Sequence, residues 1–86
     1  MNTEVRLRQR LASLAPVSLN IIDDSSLHAG HAGAGGGGHY RVDIVAAIFS
    51  GKSTVIRHRL VYDAAGDLLL GPVHALAIKA KAPNEA

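Results

Sequence analysis

The sequence predicts an α+β fold: one small domain, in the order α-β-β-α-β, with its helices on one side of a three-stranded sheet. Three observations predict it. Leu7, Leu11 and Leu14 recur at helical spacing near the start of the chain. Apolar and polar residues alternate in three later stretches, at 17–24, 39–49 and 73–81. A second helical stretch, opened by a turn and a capping serine, separates the last two of these. A chain of 86 residues, 48% of them hydrophobic and 19% charged, has room for a single core, so residues 1–86 are read as one domain.

The first helix is expected over residues 3–14. Thr3 is placed to cap it, Glu4 lies near its positive end, and Arg6, Arg8 and Arg10 fall on or beside the surface opposite the leucines. Pro16 ends it, because the residue before a proline is pushed out of the α region. Val17, Leu19 and Ile21 then alternate onto one face of a first strand, which Asp23-Asp24-Ser25-Ser26 closes with turn chemistry.

From about 25 to 38 the chain has no periodicity and little bulk. Six of its nine glycines lie between Gly30 and Gly38, so this is a flexible loop at the tip of a hairpin. The second strand is expected over 39–49, with Tyr40, Val42 and Ile44 on one face and Arg41 and Asp43 on the other. Ser50-Gly51-Lys52-Ser53 breaks it and caps a helix over about 54–63, whose inner stripe is read as Val55, Ile56, Leu60 and Ala64, leaving Arg57, His58 and Arg59 outside. Gly66 interrupts, 67–70 forms a short turn, and Gly71-Pro72 introduces a last strand over 73–81. In it His74, Leu76 and Ile78 share one face and Ala75, Ala77 and Lys79 the other. A frayed tail is expected at about 82–86.

Composition excludes several functions. The absence of cysteine removes a disulfide scaffold, a thiol nucleophile, a cysteine-based zinc site and any self-contained thiolate-ligated cluster. A formal charge of +2 is too small to make nucleic-acid binding the default, and three aromatics are too few for base-stacking platforms. No apolar run approaches the length of a membrane span and no signal sequence is evident, so no membrane contact and a cytoplasmic location are expected. No Ser/His/Asp ordering or carboxylate pair suggests catalysis, and the chain is read as a non-enzyme.

The histidines carry the metal chemistry. His28 and His31 stand three apart in the glycine-rich loop, His39 at its far end and His74 at the head of the last strand. If the last strand lies beside the hairpin, His74 approaches the loop. One or two loop imidazoles with His74 make an incomplete metal site, short of two or more donors. Spacing alone leaves this reading beside a plainer one, of solvated loop histidines and a hydrogen-bonded strand histidine. Gly51-Lys52-Ser53 lacks the first glycine of a phosphate-binding loop, since Ala46 stands in its place. Lys52, Arg57 and Arg59 form the densest positive cluster, either a nucleic-acid contact or a solvated helix face.

Together, HAGH at 28–31, HYRV at 39–42, FSGKS at 49–53, RHRLVY at 57–62 and VHALAIKAKAP at 73–83 resemble the BolA-like proteins. The resemblance runs from Asp23 to Pro83. It implies a fold like a class II KH domain and a heterodimer with a monothiol glutaredoxin, bridged by a [2Fe-2S] cluster. The glutaredoxin cysteine and a glutathione would supply thiolates, and His74 with His28 or His31 would supply nitrogen, His39 being a structural or alternative position. The donors this chain lacks then come from outside it, and no cofactor is expected in the isolated chain. The implied role is accessory or regulatory, in iron–sulfur cluster and iron homeostasis. The family's second role, transcriptional regulation by direct DNA contact, would fall to Lys52, Arg57 and Arg59. Against it, FSGKS keeps only one glycine of the G-x-x-G loop with which KH domains clamp nucleic acid. A homodimer of the isolated chain is compatible with either role.

Overall fold

The computed structural model describes residues 2–24 and 38–86. Its elements are α1 (Thr3–Leu11), β1 (Ser18–Asp23), β2 (Gly38–Val45), α2 (Thr54–Ala65) and β3 (Val73–Lys81), joined by short 3-10 turns. The α-β-β-α-β order expected from the sequence is the order observed. β2 is the central strand, antiparallel to β1 and parallel to β3.

Side chains from both layers meet in one core. Leu7 and Leu11 of α1, Ile21 of β1, Tyr40, Val42 and Ile44 of β2, Val61 and Ala65 of α2, and Val73 and Leu76 of β3 are all buried there with Phe49 and Leu68. The alternation read for β2 therefore holds. Its apolar far end does not continue as strand: after Val45 the chain turns through a 3-10 segment, Ala47–Phe49, which swings Phe49 into the core and leaves Ile48 exposed. A short apolar run does not distinguish these two outcomes.

Two helix details differ from expectation. Asn2, not Thr3, caps α1, its side-chain Oδ1 accepting from the Val5 N–H at 2.8 Å, and the helix tightens to 3-10 after Leu11. The buried face of α2 is rotated from the stripe read in the sequence: Leu60 and Ala64 pack partly buried against the core, but Val55 and Ile56 do not. Val61 and Ala65 are buried, whereas Val55 is 65% and Ile56 37% exposed. At about 100° per residue, Arg57, Val61 and Ala64 share the inner side, and Val55 stands opposite them. Ser53 caps α2 as expected, accepting from the Ile56 N–H, and Gly66 ends it at a positive φ of 57° that favours glycine. Arg10 of α1 closes that end by donating to the Ala65 carbonyl and pairing with Asp67 at 2.7 Å.

Arg57 lies on that inner side, largely covered. Its Nε donates to the Lys52 carbonyl (2.9 Å), its Nη1 to the Ala80 carbonyl of β3 (3.1 Å), and its two terminal nitrogens to the Glu85 carboxylate (2.6 and 2.8 Å). Glu85 also accepts from the Ala82 N–H, so Pro83–Glu85 forms a 3-10 turn tied to α2 where a frayed tail was expected. The Arg57 hydrogen bonds, then the Ala82 N–H, hold the Glu85 carboxyl at about 2, below its ordinary 4.5. A carboxyl depressed on folding stabilises above its unfolded value, and that contribution fades as pH falls from 4.5 toward 2. Thermal melts across that window should show the wild-type chain losing more stability than Glu85→Gln, the two converging at the acid end. Parallel curves would contradict the latch.

Candidate functional site

The helices cover one face of the sheet. Tyr40, Val42 and Ile44 point into that side, so His39, Arg41 and Asp43 lie on the other, open face. β3 reaches this face through an irregularity. Gly38 pairs with Val73 but His39 pairs with Ala75, so His74 is the extra residue of a β-bulge. Burial shows the same shift: Val73 and Leu76, three residues apart, are both buried, and His74 between them is exposed. His74 thus does not share a face with Leu76 and Ile78, as strict alternation would have it.

The bulge brings His74 to His39. Their rings stand 5.2 Å apart between centroids, tilted by 45°. The Gly38 N–H donates to the Pro72 carbonyl at 2.8 Å and the Asp24 N–H to the His39 carbonyl at 2.7 Å, fixing the backbone on both sides of the pair. A shallow depression beside it is lined by Asp24, His39, Tyr40, Arg41, Ala75, Leu76 and Ala77. Arg41 is held across its edge by Asp24, Nε to Oδ2 at 3.0 Å. The small Ala75 and Ala77 leave the open face low next to the histidines.

Chemically the pair offers two imidazole nitrogens and no thiol. Among the described residues no three His, Cys, Asp or Glu side chains converge on a metal position. Two nitrogen donors fit one iron of a [2Fe-2S] cluster whose remaining ligands are thiolates from elsewhere, since histidine replaces cysteine at such irons in other proteins. His28 and His31, the expected loop ligands, lie outside the described residues. His39, read from the sequence as a structural or alternative position, is the imidazole next to His74. The signal that could have singled it out is the strand alternation, which places it on the face away from Tyr40.

Of the expected basic cluster, Lys52 and Arg59 are exposed, but Arg57 is not available to a ligand. Its side chain is only 13% exposed and its donors face Lys52, Ala80 and Glu85. No helix among the described residues is long and apolar enough to cross a membrane.

Residues 11–85 match a family model described as BolA-like protein. The chain is 44% identical to BolA-like protein 1 of Mus musculus, over 95% of this chain and 59% of that protein. It is 35% identical to the DNA-binding transcriptional regulator BolA of Escherichia coli (strain K12), over 85% of this chain and 69% of that one. Its fold is similar to the solved BolA domain of SufE1 from Arabidopsis thaliana, with a TM-score of 0.85 and 43% identity, covering 100% of this chain and 99% of the other. It spans less than two thirds of the mouse protein's length, and 24% of the plant SufE-like protein 1.

Proposed function

Because the chain belongs to the BolA-like family, we propose that it binds a monothiol glutaredoxin and shares with it a glutathione-ligated [2Fe-2S] cluster, serving as an accessory or regulatory protein of iron–sulfur and iron homeostasis. His74 is its principal ligand. A second nitrogen comes from His39 or from His28 or His31 in the segment before β2. The observation that carries this reading is the His39–His74 pair on the open sheet face, 5.2 Å apart, in a chain without cysteine. Such a donor set completes a metal centre only when the other ligands arrive with a partner.

Each part of the local structure serves that role. The bulge turns His74 outward, and the Gly38–Pro72 hydrogen bond holds the two strands in register beside it. The flat, small-residue surface at Ala75 and Ala77 lets a partner's folded surface approach the imidazoles. Bound there, the cluster supplies an iron with nitrogen ligation, whose reduction potential lies above that of an all-thiolate cluster.

Direct DNA binding, the role in the E. coli relative's name, is the weaker reading for this chain. With Arg57 engaged by Glu85, two of the three expected cations remain on α2 and its approach. The test is a titration of the chain into a glutathione-bound, [2Fe-2S]-loaded monothiol glutaredoxin, followed by visible circular dichroism. A changed spectrum that saturates at a one-to-one ratio is expected. An unchanged spectrum with both proteins folded would overturn the proposal.

A further inference from the structure

The solvent side of α2 carries a surface apart from the histidine pair, tied to β3 where the Tyr62 hydroxyl donates to the Leu76 carbonyl at 3.4 Å. Val55 stands three and four residues before His58 and Arg59, and these stand four and three before Tyr62, so the four form one stripe. They line a common shallow depression. Val55 is 65% and Tyr62 41% exposed, with Ile56 at 37% on the flank. Exposed apolar side chains grouped in this way around a cation offer a partner both apolar cover and a charge. Among the described residues, the side chains of Arg59 and Lys52 make no ion pair.

We propose that this stripe docks an acidic, amphipathic segment of a protein partner, on the helix layer, and that the segment leaves the histidine pair on the opposite face of the sheet uncovered. Carboxylates of the segment would meet Arg59 and Lys52, and its apolar side chains would cover Val55 and Tyr62, as in helix-in-groove recognition. Two other occupants fit less well. A second copy laid antiparallel along the stripe sets Arg59 and His58 of one chain against those of the other, because the stripe is centred between them. A nucleic-acid backbone carries one charge per ~1.7 Å of duplex and calls for a row of cations. Here Arg57 is neutralised by Glu85, Asp63 flanks Arg59, and apolar groups occupy the stripe's two ends.

The test is a nuclear magnetic resonance titration of the isotope-labelled full chain with three probes. These are an end-blocked helical peptide with a leucine face and a glutamate face, the same peptide with lysine for glutamate, and a short DNA duplex. The acidic peptide should shift the resonances of Val55, His58, Arg59 and Tyr62 and leave those of His39 and His74 in place. Arg59→Glu should weaken binding about tenfold or more. Val55→Ser should weaken it too, and His74→Ala should leave it unchanged. Both substituted residues on α2 are exposed, so the variants should keep the wild-type fold. The proposal is overturned if the acidic peptide leaves α2 unshifted or if the lysine peptide binds equally well. Tighter binding by the duplex, or concentration-dependent shifts along α2 in the chain alone, would overturn it as well.

Discussion

His74→Ala is expected to abolish the one-to-one spectral change in the glutaredoxin titration while leaving the chain folded. The side chain is exposed at the bulge and contributes nothing to the core, so its removal takes away a donor and little else. One iron of a shared cluster would then lack a nitrogen ligand that no other residue of β3 can replace. His39→Ala should have a smaller effect if His28 or His31 supplies the second nitrogen, and an equal one if His39 itself does. Visible circular dichroism of the two variants, with far-ultraviolet spectra as the folding control, separates these cases. A normal cluster spectrum and affinity in His74→Ala would remove His74 from the ligand set.

The largest effect on stability is expected at Phe49. It is fully buried, the bulkiest of the fully buried side chains, and it reaches the core only because the chain leaves the sheet at Ala46 and turns. Phe49→Ala deletes the ring and leaves a cavity between the layers, a change that costs about 3–5 kcal/mol. Whole domains are stable by roughly 5–15 kcal/mol, and a small one lies toward the lower end. The variant should therefore unfold at much lower urea concentration, or fail to fold near body temperature. Val17→Ser, at a position 69% exposed, should shift stability by about 0.5 kcal/mol or less. Similar midpoints for Phe49→Ala and wild type would show that the 3-10 turn does not anchor the core.

Much of this architecture is legible in local patterns. β3 runs over Val73–Lys81, as its Gly71-Pro72 lead and alternation indicate, and the inward face of β2 follows directly from Tyr40, Val42 and Ile44. Local patterns fail where a feature belongs to two elements at once. The bulge that exposes His74 is a property of the β2–β3 register, so no spacing within β3 reveals it. The inner face of α2 is half misread: Leu60 and Ala64 pack against the core as expected, but Val55 and Ile56, which look like core, stay exposed, and the largely covered Arg57 takes an inward position. Arg57 can occupy it because its acceptors wait at Lys52, Ala80 and Glu85, the last 28 residues away. A guanidinium with four of its five N–H groups engaged can be largely covered at modest cost. The same pairing withdraws Arg57 from the basic cluster that had suggested DNA contact.

The measurement that tests the shared-cluster account most directly is pulsed electron paramagnetic resonance of the reduced mixed complex, with the chain labelled in its histidine nitrogens. Directly bound imidazole produces a strong nitrogen coupling at the reduced iron. Coupling from two imidazoles is expected in the wild-type complex, and loss of one of them, or of the whole cluster signal, in His74→Ala. A reduced complex without histidine coupling, or with the same coupling after His74 is replaced, would contradict the account.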